Sequence, residues 1–219
     1  MSVAIDLRVA ELLASRLCHD LVGPIGAVNN GMELLNEDPG GEDMADAIAL
    51  VSSSGERAAT VLQFYRAAYG RAGDEMDGQP SRVAEVAEPF TALHKCRVAW
   101  DLAGLRGAPV PGSSKLVLNM LALGVEVLPR GGGLDARAEA GDPLVLRLCA
   151  RGKGATVRSE VHAALEPDSD AASLSPRAVQ AKFAAVLAER AGGSLRLHPE
   201  DEMVTLTAEL PATGVAPVD

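Results

Sequence analysis

His19 and Asp20 stand side by side in Ser15-Arg16-Leu17-Cys18-His19-Asp20-Leu21-Val22-Gly23-Pro24-Ile25-Gly26, within a stretch whose apolar positions recur every three or four residues. Such spacing makes a helix. With Leu17 and Leu21 turned inward, His19 falls on the outer face and Asp20 at its edge. An exposed imidazole that titrates near neutrality can accept a phosphoryl group on one ring nitrogen while a neighbouring carboxylate hydrogen-bonds the other and holds the tautomer. The sequence leaves open which nitrogen takes which part. Ser15, one turn before, and Gly23 and Gly26, one and two turns after, leave the face around the imidazole bare. Each interior glycine costs a helix about 1 kcal/mol relative to alanine, and such a cost on an outer face points to a partner that must come close. Arg16 is either a cation that steadies an incoming phosphoryl group or an ordinary surface residue, and His19 has the same plain alternative. Cys18 and His19 do not make a metal or nucleophile pair, because helix neighbours point about 100° apart.

The element that carries His19 is long. Its stripe runs Leu7, Ala10, Ala14, Leu17, Leu21, Pro24, Val28, Gly31 and Leu35, with a kink expected at Pro24, and it stops in Asn36-Glu37-Asp38-Pro39-Gly40-Gly41. A second stripe, Met44, Ile48, Val51, Gly55, Ala58, Leu62, Tyr65 and Tyr69, has the same steps and follows acidic residues suited to a helix N-terminus. Residues 1–71 therefore read as an antiparallel helical hairpin. Two helices alone cannot enclose a core, and Leu13, Val22, Ile25, Leu50, Val61 and Phe64 lie off the stripes. Two hairpins pairing into a homodimeric four-helix bundle is the favoured arrangement; packing of the hairpin on its own second domain is the alternative.

Composition narrows the function. The chain has 219 residues, 20 basic and 30 acidic, for a net charge of −10. That surplus repels phosphate backbones and anionic lipid, so neither nucleic acid nor a membrane surface is an expected partner. Hydrophobic residues make up 47% and aromatics 3%, which suits closely packed helices built from Leu, Val and Ala. No apolar run is long enough for a membrane span and no secretory leader is evident, so a cytoplasmic protein is expected. Cys18, Cys96 and Cys149 have no metal-ligand spacing.

After Arg71 the composition turns polar, as expected of a linker, and a second domain is expected over 81–213. Its pattern predicts helices at 82–94, 113–128 and 175–191, and strands at 96–102, 133–140, 143–150, 155–162, 194–198 and 202–209. The fold class is α+β, a helical hairpin followed by an α/β sandwich.

The run from Ser15 to Ile25 resembles the phosphoacceptor box of sensor histidine kinases, in which His is followed by an acid and, five residues on, by Pro. Continued through Gly26-Ala27-Val28-Asn29-Asn30-Gly31-Met32-Glu33-Leu34-Leu35, it is similar to the ChpT-type histidine phosphotransferases, in which a kinase-like dimerisation hairpin is joined to a degenerate ATPase-like domain. Residues 115–132 resemble the kinase N-box helix, where two Asn four apart are expected; Asn119 is present, but Leu123 fills the second place and offers no oxygen to magnesium. Leu148-Cys149-Ala150-Arg151-Gly152-Lys153-Gly154 is similar to the strand that ends in Asp-x-Gly-x-Gly, with Ala150 where the adenine-binding Asp belongs. Residues 175–193 resemble the helix and double glycine after the nucleotide lid, without the lid motif before them.

The resemblance implies a phosphotransferase without its own ATP site. His19 would be the phosphoacceptor and Asp20 its orienting carboxylate, with Ser15, Arg16, Gly23 and Gly26 at the partner-docking face. The implied partners are receiver domains, which bring their own aspartate and Mg2+: a hybrid kinase of the CckA type as donor, and CtrA- and CpdR-type regulators as acceptors. No metal or nucleotide of its own is expected. Glycine at position 23 cannot orient a water, so the resemblance does not extend to phosphatase activity. The rival readings are an ATP-dependent histidine kinase and a scaffold that docks receivers without accepting phosphate.

Overall fold

The structure, a computed structural model, describes residues 6–37, 41–106, 110–166, 169 and 174–211. Helix α1 (Leu7–Glu37) runs through Pro24 as one element, and α2 (Met44–Tyr69) packs along it. The predicted breaker at Asp38-Pro39-Gly40 lies outside the described residues.

The seam between α1 and α2 is made of small residues. A Cβ on Gly31 would stand 2.6 Å from Val51 Cγ2 and 3.2 Å from the Ala47 carbonyl, so the backbones approach there as only glycine permits. Ala47, Ser54 and Ala58 are buried along the same line. Much of the expected stripe is not on this seam: Leu7, Ala10 and Ala14 on α1 and Met44, Ile48 and Leu62 on α2 are exposed, whereas Val9, Leu12 and Leu13 are buried. The hairpin closes on its small residues and leaves a set of large apolar ones, among them Val22, Ile25, Ile48 and Leu62, exposed.

The far end of α2 packs on the second lobe of the same chain. Phe64 stacks on Phe90 with ring centroids 3.7 Å apart and an interplanar angle of 5°. The segment expected to be a solvated linker is instead a short 3-10 helix, Arg71–Met76, with Gly73 and Met76 buried. A Cβ on Gly73 would lie 2.3 Å from the Ala67 carbonyl, so this segment is pressed against the end of α2. Asp77, which looked like linker polarity, caps the next domain's central helix: its carboxylate accepts from the Gly112 amide at 2.6 Å and the Ser114 amide at 2.9 Å.

The second lobe comprises α3 (Pro80–Leu93), β1 (Cys96–Asp101), α4 (Ser113–Glu126), β2 (Gly132–Glu139), β3 (Leu144–Arg151), α5 (Ser159–Ala164), α6 (Val179–Arg190), β4 (Ser194–Glu200) and β5 (Met203–Leu210). The strands form one sheet in the order β1-β2-β3-β5-β4, with β1 and β2 parallel and the other pairs antiparallel. Strand residues alternate between buried and open, as a sheet covered on one face requires. Every residue of α4 from Ser113 to Val125 is buried, so this helix is the centre of the lobe. The strand expected at 155–162 is not formed. Both neighbours of β3 are already β2 and β5, and Val161 and Ala164, buried on α5, are spaced for a helix.

Candidate functional site

His19 lies on the outer face of α1 with 87% of its side chain open. Its Nδ1 is 3.1 Å from Asp20 Oδ1. The Nδ1 edge of the ring is thus taken by a carboxylate, and Nε2 is the nitrogen left for a visiting group. The geometry suits the Nδ1–H tautomer, in which the lone pair sits on Nε2.

Asp20 is itself held from below. Its Oδ2 accepts a hydrogen bond from the Tyr65 hydroxyl at 2.5 Å, and Tyr65 is 2% exposed. The same hydroxyl accepts from Arg16 Nε at 3.3 Å, and the Arg16 guanidinium forms an ion pair with Glu126, the last residue of α4. Burial pushes the Tyr65 phenol up to about 12, the Arg16 cation opposing it and the hydrogen bond to Asp20 adding to it. Burial is the largest influence on Arg16 and would lower its pKa, but the Glu126 carboxylate together with Tyr69 and Tyr65 outweighs it and the net direction is up. At Glu126 burial raises the pKa and Arg16 opposes that rise; with 26% of its side chain still open, the group pairs with Arg16 as a carboxylate.

The expected docking residues separate into two groups. Ser15 and Gly23 are exposed beside His19 and Gly26 is half-buried, and a Cβ on either glycine would meet nothing within 4 Å. Nothing within the chain requires glycine at these two positions. Arg16 does not join this face: its side chain is 17% exposed and committed to Tyr65 and Glu126. Sequence reasoning passed over Tyr65 and Glu126. Tyr65 reads as one member of an apolar stripe, although a buried tyrosine needs a partner for its hydroxyl; Glu126 lies in the stretch 115–132, where nothing in the local pattern marks a carboxylate that meets Arg16.

The second lobe holds a different polar cluster. Asn119 is fully buried; its amide donates to the Ala68 carbonyl at 2.7 Å and the Lys115 carbonyl at 2.8 Å. Its Oδ1 accepts from Gln180 at 2.8 Å, and Gln180 Oε1 accepts from Tyr69 at 2.7 Å. Leu123 and Ala150, at the places of the expected magnesium and adenine ligands, are wholly buried. Among the described residues no group of three or more His, Cys, Asp or Glu is placed to hold a metal ion, and no helix is long and apolar enough to cross a membrane.

Comparison with known proteins agrees with the resemblance noted in the sequence. The family described as Histidine phosphotransferase C-terminal domain matches residues 81–203. A curated relative, Protein phosphotransferase ChpT of Brucella abortus (strain 2308), is 37% identical over 214 residues, covering 93% of this chain and 96% of the relative. A solved bacterial phosphotransferase superposes with a TM-score of 0.76 at 34% identity, covering 94% of this chain and 98% of the other. On these matches, with an open imidazole on the first helix, the chain belongs to the histidine phosphotransferases of the ChpT type.

Proposed function

We propose that His19 Nε2 carries the phosphoryl group between receiver-domain aspartates of a phosphorelay. The observation that carries this reading is the His19 ring itself, 87% open with Nδ1 on Asp20. In the forward step the Nε2 lone pair attacks phosphorus of the receiver's aspartyl phosphate, the P–O bond to that aspartate breaks, and its carboxylate leaves with the electron pair. The Nδ1 proton stays in place, and the positive ring is neutralised by Asp20. The reverse step breaks the P–N bond toward the next carboxylate. Positioning supplies most of such a catalysis, so Mg2+ is needed only where the receiver holds it. Ser15, Gly23 and Gly26 form the surface onto which the receiver settles.

The proposal extends to partners and setting: a CckA-type hybrid kinase receiver as donor, CtrA- and CpdR-type regulators as acceptors, and a cytoplasmic location. Homodimerisation belongs to it as well. The exposed large hydrophobic residues among the described ones, such as Val22, Ile25, Ile48 and Leu62, all lie on the hairpin, where a second hairpin would cover them. ATP has no part in the reaction on this reading, because Leu123 and Ala150 offer no polar side chain and Asn119 spends its side chain inside the fold.

The test uses a receiver domain carrying radiolabelled aspartyl phosphate. Label that passes to this protein, is lost in acid and survives alkali marks phosphohistidine; label retained on the receiver sinks the carrier reading. Saturable magnesium-dependent ATP binding in the same preparation would overturn the ATP-free part.

A further inference from the structure

Tyr65, Arg16 and Glu126 remain without a part in the transfer as described. A buried hydroxyl and a buried guanidinium are costly unless satisfied, and the ring packing of Tyr65 against Tyr69 at 4.8 Å and Phe90 at 5.8 Å needs no hydroxyl. We infer that Glu126, Arg16 and Tyr65 form a positioning chain that holds the Asp20 carboxylate against His19 Nδ1, so that the second lobe sets the ring of the hairpin's histidine.

The links are directional. Burial of α4 from Ser113 to Val125 fixes where Glu126 stands. Glu126 takes the Arg16 guanidinium, and Arg16 Nε donates to the Tyr65 oxygen. With that lone pair occupied, the Tyr65 proton is directed to Asp20 Oδ2, leaving Oδ1 for the ring. Asp20 without this support is a short carboxylate on a helix surface, free to turn to water. Fixing the outer partner of a working histidine sets its tautomer and raises the basicity of the other nitrogen. The lobe that resembles an ATPase domain would thus act on the transfer through one carboxylate at the end of α4.

The inference rests on the proposed carrier role of His19, and the experiment separates the two. Full-length protein labelled with 15N-histidine is compared with Tyr65→Phe and Glu126→Gln. Two quantities are read: the ring-nitrogen shifts of His19, which report its tautomer, and the rate of phosphohistidine formation from phosphoramidate. In that reaction Nε2 bonds to phosphorus as the P–N bond of phosphoramidate breaks and ammonia leaves. Tyr65→Phe is expected to shift His19 from the Nδ1–H toward the Nε2–H tautomer and to slow phosphorylation about tenfold, the lower end of what outer partners of metal-binding histidines contribute; Glu126→Gln acts in the same direction by a smaller factor. Unchanged ring shifts in both variants overturn the positioning chain, and so does a slower rate without a tautomer change, which would mark a merely structural effect. If Tyr65→Phe does not fold, Glu126→Gln, at a partly open site, decides alone. The carrier reading fails separately, if His19→Ala takes up phosphate as the parent does.

Discussion

Two polar clusters lie along the junction of hairpin and lobe, and they are built on opposite terms. Around His19 the outermost group is open to solvent, enclosure deepens through Asp20 to the buried Tyr65, and the Arg16–Glu126 pair beyond it is partly open again. Around Asn119 nothing is left over: its amide and carbonyl, the Gln180 amide and the Tyr69 hydroxyl are all spent on one another and on the Ala68 and Lys115 carbonyls. The first arrangement is open to the outside of the molecule, because His19 Nε2 has no hydrogen-bond partner among the described residues. The second joins α4 and α6 to the end of α2. An asparagine that resembles a nucleotide-site residue has become part of an internal joint, so residue type at a motif position does not settle a role until its hydrogen bonds are known.

The sharpest way to break this contrast is His19→Ala, which should abolish acid-labile labelling from a phospho-receiver while leaving the thermal midpoint near that of the parent, since the ring touches little of the fold. The joint should behave in reverse. Phe64→Ala removes a ring stacked on Phe90 and should destabilise by about 3–5 kcal/mol, read as a lowered denaturation midpoint. Asn119→Ala leaves the Gln180 amide and the Ala68 carbonyl without their partner and should cost about 1–3 kcal/mol, with ring shifts at His19 moving less than in Tyr65→Phe.

An alkaline titration sharpens the comparison. The Tyr65 phenol titrates at about 12 in the fold against an ordinary 10.0. The unfolded chain therefore releases this proton first as pH rises. The contribution is complete below pH 10 and is lost as pH climbs through 12, about 3 kcal/mol in all. Tyr65→Phe should flatten that part of the stability curve, while the burial-raised phenol of Tyr69 keeps the rest. The smallest effect is expected at Gly23→Ala: with open space around the added methyl, helix stability should rise by up to about 1 kcal/mol, and affinity for a receiver should fall if the bare face is where the partner sits.

Much of the scaffold was legible from periodicity. The remaining helices and strands lie within about one helical turn of their expected bounds, because buried elements must repeat their apolar residues at the element's own period. The misses have particular causes. The seam of α1 on α2 runs through Gly31, Ala47, Ser54 and Ala58, and small residues carry little weight in a search for apolar bulk. The segment 72–80 is polar in composition yet packed, since its buried members are one glycine and one methionine. Residues 155–162 alternate like a strand, but both sides of the preceding strand β3 are already taken by β2 and β5.

The His19–Asp20 pair, its outward placement and the bareness made by Ser15, Gly23 and Gly26 follow from positions a few residues apart on one helix, where 3.6-residue geometry dictates what shares a face. What supports the pair does not. Tyr65 meets Asp20 across 45 residues, and Arg16 meets Glu126 across the boundary between hairpin and lobe. Contacts between distant segments depend on how whole elements pack, and a tyrosine in an apolar stripe looks the same in sequence whether its hydroxyl faces water or a carboxylate. Tertiary structure alone decided that Arg16 turns inward to Glu126 of the second lobe and that the histidine's carboxylate rests on Tyr65.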